Sequence, residues 1–312
     1  MAFVRPEAMD FSGQTFSAII YGSPGVGKST LALSAPDPVL IDFDRGVSRV
    51  RARHRKTSII CNTYEEVLAD VKSPEMAEFK TLVIDTGGSF VTFLKDWALR
   101  VKGAKQKNGE FNSLKGFGYV KSEFNDFTEY VKTVLNKNII YVFHSQEQAD
   151  KDGNPTQRLM CEGSVRNTVW NPCDFGGYVQ MIGSQRMICF SPEQEYFAKG
   201  THGITGRWAI PELDDATPND FMTRLFEQAR ANIAKEREQY EPLRKQYEEA
   251  MENVRVIIDN VVDAETADAA ARTIPDLDHA LTSKKEASAL LKAKTDALGL
   301  KYTKEGYVPR EG

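Results

Sequence analysis

Lys28 and Ser29 close a run of residues whose spacing suits a polyphosphate. In Tyr21-Gly22-Ser23-Pro24-Gly25-Val26-Gly27-Lys28-Ser29-Thr30, Gly22 is followed after four residues by Gly27-Lys28-Ser29. Glycines let the backbone turn around a phosphate at little steric cost. The N–H groups of Gly25, Gly27, Lys28 and Ser29 would then line an anion nest. A following helix adds the positive end of its dipole. Lys28 would reach the β- and γ-phosphates, and the Ser29 hydroxyl would ligate Mg²⁺. Gly22, Ser23, Pro24, Gly25, Val26, Gly27, Lys28, Ser29 and Thr30 are therefore the candidate cradle for ATP–Mg²⁺. The motif has this meaning only between a strand and a helix. Apolar Phe16 to Tyr21 reads as that strand, and Thr30 to Ser34 as the helix start.

A second carboxylate-bearing run supports the first. Lys80-Thr81-Leu82-Val83-Ile84-Asp85 reads as a buried parallel strand ending in an acid. In open α/β sheets ligands bind outside the carboxyl ends of the strands. Asp85 would hold the Mg²⁺ through a water, beside the Ser29 hydroxyl. Thr86, Gly87 and Gly88 follow it, so no glutamate stands directly after this motif. A water-activating carboxylate must come from elsewhere. Ile41-Asp42-Phe43-Asp44-Arg45-Gly46 offers one, and the two-residue period of a strand turns Asp42 and Asp44 to the same side.

These residues need a sheet to hold them. Strands are expected at 16–21, 38–43, 57–61, 80–85 and 139–144, and helices at 28–34, 64–72, 88–102 and 121–136. Thr63 with Glu66 forms a capping-box pattern at the second helix. Alternating strands and helices predict a mostly parallel sheet covered on both faces. After residue 160 the pattern predicts a short helix over Val165 to Trp170. Short strands at Tyr178 to Ile182, Arg186 to Phe190 and Glu195 to Lys199 would form an antiparallel extension. From Asp220 the chain reads as polar helix, with Pro242 interrupting it. A helix over Leu243 to Val262 and two shorter ones around Pro275 follow, and Tyr302 to Gly312 reads as loose. The expected domains are 1–218, an ATPase core, and 219–312, a helical extension.

Composition limits the alternatives. The chain has 312 residues, 41% hydrophobic and 27% charged, with a formal net charge of −4. That balance supports a sizeable core and gives no whole-protein attraction to nucleic acid, so DNA contact would need local patches. Cys61, Cys161, Cys173 and Cys189 show no paired metal spacing and read as reduced, buried residues of a cytosolic protein. No apolar stretch is long enough to span a membrane, and Met1 to Ser12 lacks a signal-peptide core.

The order of motifs resembles the RecA-like ATPases. In them an acid at the end of the strand after the phosphate loop activates water; the resemblance places Asp44 there, where glutamate is usual. It also implies a polar γ-phosphate sensor after the next strand. In Ile139-Ile140-Tyr141-Val142-Phe143-His144-Ser145-Gln146, Gln146 matches in register and His144 competes. More narrowly, residues 16–210 resemble the phage-type RecA-like proteins that serve as single-strand annealing recombinases. The carrying residues are the phosphate loop, Leu40 to Gly46, Thr81 to Thr86, His144 to Pro155 with Asp152-Gly153, and Asp174-Phe175-Gly176-Gly177. This resemblance implies an ATP- and Mg²⁺-dependent homo-oligomer in a bacterial host cytoplasm. Single-stranded DNA and a single-strand-binding protein would be its partners, and no membrane.

The same resemblance points to DNA-binding loops at 103–118 and 147–163. The first carries Lys105, Lys107, Lys115 and Phe117, a basic and aromatic mixture suited to single strands; an ordinary lysine-bearing surface loop reads the same way. The second, with Lys151 and Arg158, is more polar. Arg49, Arg51, Arg53, His54, Arg55 and Lys56 form a basic run that either grips phosphates or lies as a solvated or acid-paired face. Lys199 matches a cation that reaches a neighbouring subunit's nucleotide, or is a hairpin-end lysine. The rival reading is a nucleotide-switched scaffold or loader without DNA activity. A small-molecule kinase lacks its arginine-rich lid here, and a motor helicase its second core.

Overall fold

The computed structural model describes residue 11 and residues 13–310; the expectations for Met1 to Asp10, Ser12, Glu311 and Gly312 lie outside the described residues. In chain order the first elements are β1 (Ser17–Gly22), α1 (Lys28–Ala32), β2 (Pro38–Asp42), β3 (Ser58–Ile59), α2 (Tyr64–Val71), β4 (Thr81–Asp85) and α3 (Gly87–Arg100). Next come α4 (Ser113–Glu129), which runs on into a π turn over Tyr130–Val134, then β5 (Asn138–Ala149), β6 (Pro155–Leu159) and α5 (Val165–Thr168). β7 (Phe175–Ile182), β8 (Gln185–Cys189) and β9 (Arg207–Ala209) end the sheet. Helices α6 (Phe221–Asp259), α7 (Ala264–Thr273) and α8 (Ser283–Ala297) and the hairpin β10 (Leu300–Thr303) and β11 (Gly306–Pro309) complete the chain.

The sheet runs in the order β3-β2-β4-β5-β1-β7-β8-β9, with β6 attached to β5. Pairings from β3 to β7 are parallel, while β7/β8, β8/β9 and β5/β6 are antiparallel. β5 thus lies between the phosphate-loop strand and the strand bearing Asp85. This is the RecA-like P-loop arrangement, a mostly parallel sheet with an antiparallel extension. The central strands are buried along nearly their whole length, as their continuous apolar runs require.

Helices cover both faces. On one, Tyr64, Val67 and Val71 of α2 are buried at helical spacing, as are Phe90, Leu94 and Trp97 of α3 and Val120, Phe124 and Phe127 of α4. Phe90 lies 5.2 Å from Phe127 and 6.1 Å from Tyr141 between ring centroids, and each such burial contributes roughly 1.5–3 kcal/mol. On the other, Phe226 packs 5.5 Å from Phe16 and 6.3 Å from Phe175. All four cysteines are buried and unpaired, and burial pushes the Cys61, Cys161 and Cys173 thiols up to about 12.

Several expectations are corrected. α1 ends at Ala32 rather than residue 34. α4 begins at Ser113, where the Asn112 side chain accepts from Lys115 N, so the last six residues of the 103–118 loop are helix. The 147–163 loop is largely the β5/β6 hairpin. No strand forms over 195–199; the last antiparallel strand of this sheet is β9, because β8 offers its free edge to Arg207–Ala209. α6 continues through Pro242, where Arg244 bonds Glu241 and Glu248 on successive turns and supports the helix around the missing donor.

The chain divides into two compact units, one ending at Asn232 and the other beginning at Ile233, not at residue 219. The first turns of α6 belong to the first unit because Met222, Leu225, Phe226 and Ala229 are fully buried there. The second unit has its own core, which includes Val254, Val261, Ala270, Ala287 and Leu300. Asp263 and Thr266 form a reciprocal capping box at α7. The residues expected to be loose instead form β10/β11, and the Asp268 carboxylate accepts from Tyr307 N at 2.8 Å. Among the described residues, no helix is long and apolar enough to cross a membrane.

Candidate nucleotide site

The register brings the candidate residues to the carboxyl ends of four adjacent strands. Asp42 stands opposite Asp85, Asp85 opposite Val142, and Gly22 opposite both His144 and Val179. Gly22 has to be glycine, since a Cβ would collide with the Val179 carbonyl. Beyond it the loop turns through Gly25 (φ 80°) and Gly27 (φ 86°), left-handed conformations that favour glycine.

A cleft of ≈ 180 Å³ lies over these strand ends, lined by Gly25, Gly27, Lys28, Ser29, Thr30, Asp42, Asp44, Asp85, Thr86 and His144 among others. Lys28 is 5% exposed, and its ammonium folds back to donate to the Ser23 carbonyl at 2.8 Å. Burial pulls it down to about 8, against the attraction of Asp85. His144 Nδ1 lies 3.4 Å from Lys28 Nζ. Burial, then the Lys28 charge, hold His144 below its ordinary value, leaving a neutral ring at pH 7.

The carboxylates divide the work. Asp42 is buried and accepts from Gly46 N and Val47 N, each at 2.8 Å, so it shapes the loop after β2. Asp44 accepts from the hydroxyls of Ser89 and Thr86. Burial pushes Asp85 up to about 6, opposed by the nearby Ser29 hydroxyl, with Asp44 and Asp42 adding to the rise. Such a crowded negative site suits a hard cation with oxygen ligands. Among the described residues no group of three or more His, Cys, Asp or Glu could hold a metal ion.

Other expected site residues lie elsewhere. Gln146 does not line the cleft. Two residues past His144, it stands about 7 Å further along β5, opposite Arg158 in the β5/β6 hairpin. Lys199 is turned away: its backbone bonds Gly176 near the start of β7, and its ammonium donates to the carbonyls of Trp170 (3.2 Å) and Cys173. Phe117 is half-buried, 5.3 Å from Phe111, with the Lys95 ammonium over both rings. It is packed rather than offered for stacking. Lys105, Lys107 and Lys115 are exposed.

The basic run forms two short 3-10 turns instead of an extended edge, with Arg49, Arg51, Arg53, Arg55 and Lys56 exposed and His54 buried. Arg53 pairs with Asp215 and donates to Leu213 O, and Arg55 donates to Val50 O and Ser48 O. Arg49 reaches Asp44 O at 3.4 Å and borders the cleft. Sequence reasoning missed Thr86 and Ser89, which hold Asp44. Their signal was present as a helix-cap pattern, since the Thr86 side chain accepts from Ser89 N at the start of α3.

A glycine-turned phosphate loop against a parallel sheet, with a lysine, a hydroxyl and an acid at its strand ends, defines a P-loop nucleotide-binding domain. The chain belongs to the AAA-domain family, which matches over residues 15–202. No curated protein matches it. Among solved structures it is similar to a KaiC-like protein of the hyperthermophilic archaeon Pyrococcus horikoshii OT3, at 13% identity over 63% of this chain and 89% of that one, with a TM-score of 0.34. The flagellar accessory protein FlaH of Methanocaldococcus jannaschii matches at 10% identity over 63% and 90%, TM-score 0.29. The ATP synthase subunit NeqB of Nanoarchaeum equitans matches at 10% identity over 92% and 73%, TM-score 0.34.

Proposed function

We propose that this protein binds ATP with Mg²⁺ and hydrolyses it, using ATP to drive assembly into a homo-oligomer that acts on single-stranded DNA and promotes strand annealing. The observation that carries the ATPase half is the convergence of Lys28, Ser29, Asp85, Asp44 and His144 on one cleft. Lys28 and the loop N–H groups bind phosphate, Ser29 and Asp85 supply oxygens to the cation, and Asp44 takes a proton from water. His144 replaces Gln146 as the γ-phosphate sensor in this reading, because it faces Lys28. Support for the DNA half is the resemblance to annealing recombinases and the exposed Lys105, Lys107 and Lys115 between α3 and the first turn of α4. A nucleotide-switched scaffold is the second reading, favoured by the net charge of −4 and by the separate helical unit.

The test is ATP turnover with and without single-stranded DNA, with oligomer mass recorded in the same samples. DNA-stimulated turnover with assembly supports the full reading. ATP-driven assembly without a DNA effect selects the scaffold, and absence of ATP binding rejects both.

A further inference from the structure

Beside the phosphate loop lies a second cavity of ≈ 530 Å³. It shares Gly27, Thr30 and Arg49 with the first cleft but contains neither Lys28, Ser29 nor Asp85. It therefore borders the end of the loop away from the β- and γ-phosphate groups. Its walls bring together Arg49, Arg51, His54 and Arg186 against one carboxylate, Glu212, with the half-exposed Met181 as an apolar wall.

Arg186 is the unusual member. It comes from β8, and its side chain lies directly over the loop, so that a Cβ on Gly27 would strike its Nη1. Nη2 donates to Pro211 O at 3.2 Å, while the buried Nε has no partner among the described residues. A buried guanidinium donor left unmatched is costly unless something else satisfies it. The planar fork suits a phosphate oxygen.

Resting on the reading of the phosphate loop above, we infer that this cavity takes the nucleoside half of the nucleotide and that Arg186 grips the α-phosphate from within the same chain. The volume falls in the range of small-molecule sites. Arg49 and Arg51 make the rim attractive to the anion, and Met181 gives a base an apolar face. Gly27 is then required twice: its backbone turns left-handed, and its missing Cβ leaves room for the guanidinium.

The test measures binding of ATP and of inorganic tripolyphosphate, each with Mg²⁺, by calorimetry on the full chain. Lys28→Ala is the control for the phosphate loop. Arg186→Ala is expected to weaken both ligands by about tenfold to a hundredfold, the scale of a charge-assisted hydrogen bond. Arg186→Lys keeps a cation without the fork and should weaken both by about threefold to tenfold. Ser184→Trp, in the exposed turn lining the cavity, should weaken ATP by about tenfold through steric exclusion and leave tripolyphosphate within about twofold. If Lys28→Ala loses binding while both Arg186 variants keep it, Arg186 holds no phosphate. If Ser184→Trp binds ATP normally, the nucleoside lies elsewhere. If Lys28→Ala itself binds ATP unchanged, the phosphate-loop reading fails first. Should Arg186→Ala not fold, Arg186→Lys and Ser184→Trp decide the matter in the same way.

Discussion

The two ends of the same sheet are built on opposite terms. At the strand starts, nearly every polar group has found a protein partner. Asp174 accepts from Ser17 N and Oγ and pairs with Lys132 at 3.0 Å. The Asn138 side chain accepts from Phe16 N at 2.9 Å, and Lys199 is held by two carbonyls. At the strand ends, Lys28 folds onto its own loop, Asp85 is pushed towards its neutral form, and Arg186 Nε is unmatched. Satisfied charge marks structure, and frustrated charge marks where a ligand completes the site.

Lys28→Ala strikes the strand ends hardest. It should cut ATP affinity by about a hundredfold or more, since a buried charge-assisted contact is lost, while the melting temperature without nucleotide stays close to that of the unaltered chain. Asp44→Asn keeps shape and removes charge. Turnover should fall by about a hundredfold, with ATP affinity within about threefold; unchanged turnover would move the base to another residue.

pH offers a milder test. Asp85, raised to about 6, must be ionised to ligate a cation, so Mg²⁺-dependent ATP affinity should fall by about tenfold per unit below that value and level off above it. Above about 8 the free protein's Lys28 loses its proton, and affinity should decline again. A titration of affinity from pH 5 to 9, with and without Mg²⁺, reads both limbs; an acid limb that persists without Mg²⁺ would assign it to a group other than Asp85.

At the strand starts the expected effects reverse. Asp174→Ala leaves Lys132 without its carboxylate in a half-buried place and should cost about 2 kcal/mol of stability by denaturant unfolding, with turnover unchanged. Lys199→Met should be smaller still, about 1 kcal/mol. A loss of turnover there, dependent on protein concentration, would restore a role for Lys199 across a subunit boundary.

The strand ends were the legible part of this sequence. Phosphate loop, Asp44 and Asp85 are local: each sits at the end of an apolar run, and the run itself sets the register. Arg186 was read only as the start of a short strand, because nothing near it in sequence shows that β7 carries it back over Gly27. Helix α4 was misplaced because Gly116 and Gly118 look like loop residues. Yet Gly116 is buried against the Phe111 ring, where no Cβ would fit. Pro242 misled in the same way, as its missing donor and the crowding of its ring against the preceding turn are borne by a helix supported elsewhere. The terminal hairpin depends on Asp268, more than thirty residues away, for its clasp.

The four buried thiols have a practical consequence for labelling chemistry. Alkylation needs a thiolate, and Cys61, Cys161, Cys173 and Cys189 are 6%, 6%, 1% and 0% exposed, the first three with thiols held near 12. The folded chain is therefore silent towards a maleimide dye at neutral pH. A single cysteine at Leu114, which is 92% exposed on the first turn of α4, would take the dye alone. Its emission would report whether single-stranded DNA reaches that turn, with every native cysteine left in place.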